Sequence, residues 1–380
     1  MPLDARERFL GWTRAPLVAA EKRWDRLKLD VKKRLGRLGP PMIEPFRGYG
    51  SQRELLLTGR VLERKDFGTP LTEASRWNNL RAMMRRFASD ELPDVRVRAR
   101  FQAIEQIATT NEEGYFRFSI PPAQPLDFRS NWQHVELDLI DEIMPGQGRV
   151  EATGRVLTPA PDCEFGIISD IDDTVLETHA TQALTMIRLT LFGNARTRTP
   201  FDGVSAFYSA LHGGSDGRRR NPVFYVSSSA WNLYDFLRDF LEFQEIPTGP
   251  ILLRDLGLDH SKFFSSGHRH KLEKIEQILD FYPELPFILI GDSGQDDPTL
   301  YREALHRDPD RILAIYIRDV APGNRAEVRK LIAEVRETHA EMLLVEDTAA
   351  AAAHARSRGW IPAAAEQEVV HKRDLDRVEA

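Results

Sequence analysis

The sequence predicts an α/β fold in which a doubly wound parallel sheet follows a small β-sandwich-like domain and an N-terminal amphipathic helix. Two apolar runs that end abruptly in acidic residues, at Asp170 and Asp292, indicate buried parallel strands. Strand-like and helix-like segments alternate after Asp297, whereas residues 45–160 contain mostly strand-like segments. With 42% hydrophobic and 29% charged residues, the 380-residue chain is long enough for two domains with their own cores.

Residues 1–44 are predicted to be a basic, amphipathic helical segment. Residues 1–40 contain eleven Lys and Arg against five Asp and Glu, although the whole chain has a net charge of −6. Pro16 lies near the predicted helix start, and apolar residues follow at helical spacing. These are Leu17, Ala20, Trp24, Leu27, Val31 and Leu38. Such a helix can lie on an anionic membrane surface, or it can pack against the protein or another chain, and both interpretations stay open.

Residues 45–160 are predicted to be a β-rich accessory domain. Apolar residues alternate with polar ones from Val95 to Gln102, which is the two-residue period of a half-buried strand. Thr72–Ser89 has a helical pattern instead. The arginines of the alternating strand are interpreted as a solvated face, with contact to lipid phosphates as the alternative. The other predicted strands are Glu54–Val61, Gly114–Ile120, Trp132–Ile140 and Val150–Leu157.

Residues 161–362 are predicted to form the α/β domain, and residues 363–380 a flexible tail. The carboxyl ends of parallel strands meet at one edge of a sheet, where ligands bind. The acids that follow the two buried strands should therefore converge on one site, which suits a hard divalent cation such as Mg²⁺. The elements predicted after Asp297 are the strands Ile312–Ile317 and Glu341–Val345 and the helices Arg325–Glu337 and Asp347–Arg358.

The single cysteine, Cys163, excludes an internal disulfide and favours a reducing compartment. Its strand-like surroundings predict a buried packing residue. No apolar run reaches the roughly 18 residues of a membrane-spanning helix, and the first residues lack a signal-peptide pattern. The expectation is a cytoplasmic protein, with peripheral membrane association through residues 1–40 as an option. No nucleic-acid partner is expected, and the sequence has no Gly-rich nucleotide loop.

Four motifs occur in an order that resembles a known superfamily. The string Asp170-Ile171-Asp172-Asp173-Thr174 is similar to the DxDxT motif of the haloacid dehalogenase superfamily of phosphotransferases. The strings YVSSSAWNLY at 225–234, HK at 270–271 and GDSGQDDP at 291–298 complete the set. Together they resemble the Mg²⁺-dependent phosphatidate phosphatases of the actin-patch type and their bacterial relatives. The resemblance covers roughly residues 150–360 and weakens toward about residue 45.

The resemblance implies a haloacid dehalogenase-like fold and a role for each matching residue. Asp170 would be the nucleophile that forms an aspartyl-phosphate, and Asp172 would be the general acid and base. Asp170 and Asp292 would bind Mg²⁺ through their carboxylates, and Asp172 through its backbone carbonyl. Asp297 is assigned as the further acid of the metal motif. The neighbouring Asp296, at a position that is commonly His in the family, has no assigned role, and either acid is able to reach the metal's outer shell.

The resemblance also implies three phosphate-binding residues, Thr174, Ser227 and Lys271. Ser227 would donate its hydroxyl to a phosphoryl oxygen, and Lys271 would supply positive charge to the transition state. The residues alone leave two alternatives open. Ser227 could be the N-cap of the helix that follows it, and Lys271 could be a solvated helix residue like Lys274 one turn away.

The gaps between the motifs leave little room for a large cap domain of the kind that closes over small substrates in this superfamily. About 50 residues separate Thr174 from Ser227, and about 40 separate Ser227 from Lys271, which ordinary helices and loops would fill. An uncapped site favours a large or membrane-held substrate. The apolar stretch Leu184–Phe192 is interpreted as core, with a lipid-contacting lip as the alternative.

The sequence therefore predicts an Mg²⁺-dependent phosphatase that hydrolyses phosphatidate to diacylglycerol and phosphate. One alternative is a phosphatase for another anionic phospholipid, a phosphoprotein or a soluble phosphomonoester. Another is a membrane adaptor with an inactive phosphatase fold, against which the complete set of motif residues argues.

Overall fold

The computed structural model describes residues 38–64, 91–171, 202–254, 267–336 and 340–379. These residues form a β-rich unit followed by an α/β unit. Among them, no helix combines the length and the apolar character that crossing a membrane requires. The predictions that lie outside the described residues concern the helix within 1–37, the segments Thr72–Ser89 and Leu184–Phe192, and the site residues Asp172 and Thr174.

The β-rich unit is one hydrogen-bonded sheet of eight strands. They are β1 (Pro41–Pro45), β2 (Gly48–Gly50), β3 (Leu55–Glu63), β4 (Arg96–Phe101), β5 (Ile104–Thr109), β6 (Tyr115–Ile120), β7 (Trp132–Leu139) and β8 (Glu151–Leu157). The strand order is β1-β3-β2-β8-β7-β4-β5, with β6 paired to β3. Gln106 of β5 donates a hydrogen bond to the Ser119 carbonyl of β6 (2.8 Å), so distant parts of the sheet approach each other around one apolar core.

The predicted strands correspond closely to β3, β4, β6, β7 and β8, whereas the sequence pattern does not reveal β1, β2 or β5. The description of this unit as a sandwich stays a prediction. The arginines of β4 are paired with acids: Arg96 with Asp141 at 2.6 Å, and Arg98 and Arg100 with Asp138 at 2.6 and 3.1 Å. This agrees with a solvated, ion-paired face.

The α/β unit is built on a parallel sheet of six strands. They are β9 (Gly166–Asp170), β10 (Val223–Ala230), β11 (Ile251–Arg254), β12 (Phe287–Asp292), β13 (Ile312–Arg318) and β14 (Glu341–Val345). Their order is β11-β10-β9-β12-β13-β14. The chain builds outward from β9 in one direction and then from β12 in the other. A topological switch point therefore lies between β9 and β12.

Helices cover both faces of this sheet. The described ones are α1 (Val204–Gly213), α2 (Tyr234–Phe243), α3 (Gly267–Phe281), α4 (Asp297–Arg307), α5 (Arg325–Val335), α6 (Thr348–Ser357) and α7 (Ala363–Glu379). Ile167 packs into the core with α1, α2, α6 and α7, whereas its neighbour Ile168 packs with α3, α4 and α5. Burial on both faces explains why β9 and β12 are continuous apolar runs. The haloacid dehalogenase-like assignment of this parallel α/β unit stays a prediction.

Residues 363–379 form helix α7, which corrects the prediction of a flexible tail. Val369 is fully buried in the core beside α1 and α6. Asp376 accepts a hydrogen bond from the Gly203 backbone N–H at 2.8 Å. These partners are far away in sequence, so the local charge pattern alone does not predict the helix.

Cys163 lies half-buried in the connection between β8 and β9 rather than inside a strand. Burial raises the pKa of its thiol to about 11. The thiol is therefore protonated at neutral pH, which agrees with a packing role and not with a reactive one.

A buried and a half-buried carboxyl group lie side by side where the two units meet. Glu44 of β1 shares a side-chain hydrogen bond with Asp235 of α2, and it accepts one from Arg60 Nε at 3.0 Å. Arg238 pairs with Asp235 at 2.8 Å. Burial, followed by the contact with Asp235, raises the pKa of Glu44 from 4.5 to about 8, against the opposing effect of Arg60.

We expect Glu44→Gln to flatten the pH dependence of stability. Between pH 4.5 and about 8 the folded protein keeps the Glu44 proton that the unfolded chain loses, so this contribution to stability falls as the pH rises through that window. Gln resembles the protonated carboxyl and has no proton to lose. Thermal unfolding across this window should show a smaller decrease of Tm for the variant than for the parent. The exposed control Glu105→Gln should follow the parent, and parallel curves for parent and Glu44→Gln would contradict the argument.

Candidate active site

Three buried carboxylates meet at the switch point. Asp170 ends β9, Asp292 ends β12, and Asp297 begins α4. Each is at most 1% exposed, and one carboxylate oxygen of each lies within 4.8 Å of those of the other two. The sequence predicts that the two strand ends converge, and the structure confirms it.

The ammonium group of Lys271 lies among these acids. Its Nζ is 2.8 Å from Asp170 Oδ1 and 3.1 Å from Asp297 Oδ1, and it donates to Gln295 Oε1 at 3.0 Å. Lys271 is only 3% exposed, so the alternative of a solvated helix residue is wrong. Nζ donates hydrogen bonds to Gln295 and Asp297, and its contact with Asp170 is an ion pair. Gln295 is therefore a further site residue, and its place in the GDSGQ string is the sequence signal for it.

Local packing selects Asp297 over its neighbour Asp296. A Cβ atom at Gly291 would lie 2.6 Å from Asp297 Oδ2 and 2.8 Å from the Tyr301 ring, so only glycine leaves room for this carboxylate beside β12. The Asp292 N–H donates to Asp297 Oδ2 at 3.3 Å. Asp296 is exposed and lies outside the carboxylate cluster. The geometry thus favours Asp297 as the further acid of the metal motif, and metal ligation itself stays a prediction.

The cluster of acids fits a divalent cation. Burial raises the pKa of Asp297 well above its usual range, the charges of Asp170 and Asp292 raise it further, and Lys271 opposes them. Asp170 Oδ2 is buried and accepts no hydrogen bond from any described residue. Burial of such a carboxylate oxygen lowers the stability of the fold unless a positive charge or a hydrogen-bond donor lies next to it. Hard oxygen donors with excess negative charge are the donor set that Mg²⁺ prefers, and Asp170, Asp292 and Asp297 would hold it.

Ser227 lies at the same edge of the sheet. Its predecessor Val226 is in register with Asp170, and Ser227 is fully buried. The Ser229 N–H donates to Ser227 Oγ at 3.0 Å. Ser227 lies within β10, and Leu233 occupies the N-cap position of α2 without a side-chain capping hydrogen bond. The N-cap alternative for Ser227 is therefore wrong, while its phosphate-binding role stays a prediction.

Two further serines, each next to an acid of the site, form hydrogen bonds through their hydroxyl groups to neighbouring parts of the fold. Ser169 Oγ donates to the Asp170 carbonyl at 2.9 Å and shares a hydrogen bond with Tyr208 Oη at 2.6 Å. Ser293 Oγ accepts hydrogen bonds from the backbone N–H groups of residues 320–321, each at 3.0 Å. Each serine is adjacent to an acid in the sequence, but the partners Tyr208 and 320–321 are distant along the chain. Sequence reasoning therefore had no signal for either role.

The fold and the site define an α/β protein with a buried acidic centre at a topological switch point. Residues 165–319 of the chain match the model of the phosphatidate phosphatase APP1 catalytic domain. Phosphatidate phosphatase APP1 of Saccharomyces cerevisiae is 35% identical over 155 residues, which are 40% of this chain and 26% of the relative. An uncharacterized protein of Schizosaccharomyces pombe is 28% identical over 249 residues, which are 63% of this chain and 40% of the relative. The chain thus spans less than half the length of these curated relatives.

The predicted resemblance to phosphatidate phosphatases is confirmed over residues 165–319, the part of the chain that holds every described site residue. The wider superfamily assignment stays a prediction. Among solved structures, a carbohydrate acetylesterase from Xanthomonas citri gives a TM-score of 0.27 and 11% identity, with 79% of this chain and 75% of that chain covered. This TM-score is too low to support a shared fold or activity.

Proposed function

We propose that the protein is an Mg²⁺-dependent phosphatidate phosphatase that releases diacylglycerol and phosphate. The proposal is carried by one observation: three buried carboxylates and a buried lysine meet at the switch point of the sheet. This cluster lies within the residues that match the phosphatidate phosphatase catalytic domain. A nucleophilic carboxylate beside a fixed positive charge is the arrangement that phosphoryl transfer needs.

In the proposed mechanism the Asp170 carboxylate attacks phosphorus, the diacylglycerol oxygen leaves, and water hydrolyses the aspartyl-phosphate. Asp172 protonates the leaving oxygen and then takes a proton from the attacking water. Lys271 Nζ, which lies 2.8 Å from Asp170 Oδ1, neutralises charge on the phosphoryl oxygens. The Ser227 hydroxyl donates to one of these oxygens.

The proposed metal ligands are Asp170, Asp292 and Asp297, together with the backbone carbonyl of Asp172. Bound Mg²⁺ would supply Lewis-acid stabilisation of the transferred phosphoryl group. The three described carboxylates are brought together by two strand ends and a helix start. The Asp292 backbone N–H also donates a hydrogen bond to the Asp297 carboxylate, which holds these two acids next to each other.

The test of this function is phosphate release from phosphatidate in mixed micelles, with Mg²⁺ and with a chelator, beside an aryl phosphate as soluble substrate. We expect metal-dependent release from phosphatidate. Faster release from anionic vesicles than from neutral ones would favour the membrane-surface interpretation of residues 1–40 over packing against protein. Release from the aryl phosphate alone would remove the lipid assignment, and no release from either substrate would favour the inactive adaptor.

Two neighbouring acids provide a test of the metal site. We expect Asp297→Asn to weaken Mg²⁺ binding by roughly 10- to 100-fold, because it removes a buried carboxylate from the cluster. The control Asp296→Asn makes the same chemical change at an exposed position and should bind Mg²⁺ like the parent. Titration calorimetry with Mg²⁺ measures both. Equal affinities for the two variants would show that Asp297 does not serve the metal.

A further inference from the structure

The β-rich unit contacts the α/β unit through a buried aromatic side chain. Phe46 lies between β1 and β2 and is 2% exposed. Its ring stacks on Trp231, with centroids 4.6 Å apart and an interplanar angle of 20°. Its centroid is 4.4 Å from that of Tyr234, the first residue of α2. One residue of the β-rich unit therefore packs on the connection between β10 and α2.

The next residue reinforces this contact. The Arg47 backbone N–H donates to Tyr234 Oη at 2.6 Å, and the Arg47 guanidinium forms an ion pair with Glu242 of the same helix. Tyr234 is buried, so its hydroxyl has little access to water as a substitute partner. Two consecutive residues of the β-rich unit thus contact α2, at Tyr234 where the helix begins and at Glu242 in its last turn.

This contact lies a few residues from the candidate phosphate-binding group. Ser227 precedes Trp231 by four positions, and β10 extends to Ala230 with a register shift against β11 between Val226 and Ala230. Leu233, the N-cap residue of α2, makes no side-chain capping hydrogen bond. Packing across the junction is therefore one of the constraints on this helix start.

A second contact across the same junction lies farther from the site. Tyr49 of β2 packs edge-on against Phe281, with centroids 5.0 Å apart, and Tyr282 Oη donates to the Gly50 carbonyl at 3.0 Å. Phe281 is the last residue of α3, whereas Lys271 lies near the other end of that helix. Tyr49 also packs edge-on against Phe224 near the start of β10, with centroids 6.1 Å apart. Phe46 instead contacts Trp231 and Tyr234, which follow the carboxyl end of β10 at the site.

We propose that Phe46 is a positioning residue that, through Trp231 and Tyr234, sets the place of Ser227 at the edge of the sheet. The β-rich unit then forms part of the framework of the phosphate site and is not a separable accessory module. This inference rests on the phosphate-binding role proposed for Ser227.

The experiment compares Phe46→Leu with Tyr49→Leu, two aromatic-to-leucine changes three positions apart in the same junction. Binding of inorganic phosphate in the presence of Mg²⁺ is measured by calorimetry, and folding by Tm, with Ser227→Ala as the reference for a lost phosphate contact. We expect both leucine variants to lower Tm, but only Phe46→Leu to weaken phosphate binding, by about fivefold or more. Phe46→Tyr should restore the parent affinity, because the ring is kept.

Phosphate binding does not require turnover of a lipid, so the outcomes separate the two proposals. If Ser227→Ala weakens phosphate binding and Phe46→Leu does not, the positioning role is wrong while the proposed function stands. If Ser227→Ala binds phosphate like the parent, the role of Ser227 falls and the positioning inference falls with it. Should Phe46→Leu fail to fold, Tyr234→Phe removes only the hydroxyl that accepts from Arg47 and should show the same weakening in a milder form.

Discussion

Asp170→Asn is expected to abolish phosphate release from phosphatidate and from a soluble aryl phosphate, with a loss of roughly a thousandfold or more. An amide of the same shape is not a nucleophile toward phosphorus, so the aspartyl-phosphate has no route to form. The fold should survive, because the change removes one of three clustered carboxylates and Lys271 still donates to Gln295 and Asp297. Phosphate release and thermal unfolding measure the two expectations.

The matched control for this experiment is Asp296→Asn, which makes the same change on the exposed side of the site. It should retain most of the parent activity. Residual activity of Asp170→Asn above about a tenth of the parent rate would assign the nucleophile to another group. A lost fold would instead show as a large decrease of Tm, which the comparison with Asp296→Asn would reveal.

The strand ends of the site could be predicted because their signal is local. β9 and β12 are buried on both faces, so each is a short apolar run, and the acids Asp170 and Asp292 follow directly. Parallel pairing then brings the two ends to one edge without further information. The predicted runs agree with the observed strands to within a few residues, as do β13 and β14.

The questions that the residues alone left open depend on contacts between distant parts of the chain. Whether Lys271 faces solvent or the acids is decided by how α3 lies on the sheet, which its own sequence does not encode. Asp296 and Asp297 are adjacent, and the choice between them follows from the helix start at Asp297 and from the space beside Gly291. The junction contact of Phe46 with α2 is likewise invisible in either segment alone.

Lys271→Met is expected to lower the rate of phosphate release by roughly a hundredfold or more, and also to make the stability of the fold depend on Mg²⁺. Methionine keeps much of the side-chain volume but removes the ammonium group that contacts Asp170 and Asp297. Removal of one partner from a buried ion pair costs on the order of 3–5 kcal/mol, because the other charge is left uncompensated. A divalent cation among the same carboxylates would supply the missing positive charge.

Thermal unfolding with a chelator and with Mg²⁺ therefore measures whether the lysine and the metal ion compensate the negative charge of the same carboxylates. We expect the chelated Lys271→Met protein to have a clearly lower Tm than the parent, and Mg²⁺ to restore more of that loss than it adds to the parent. Lys274→Met, one turn away and half-buried, is the control and should unfold like the parent in both conditions. If Mg²⁺ raised the Tm of all three proteins equally, the lysine and the metal would not act on the same carboxylates, and the proposed metal site would have to lie elsewhere.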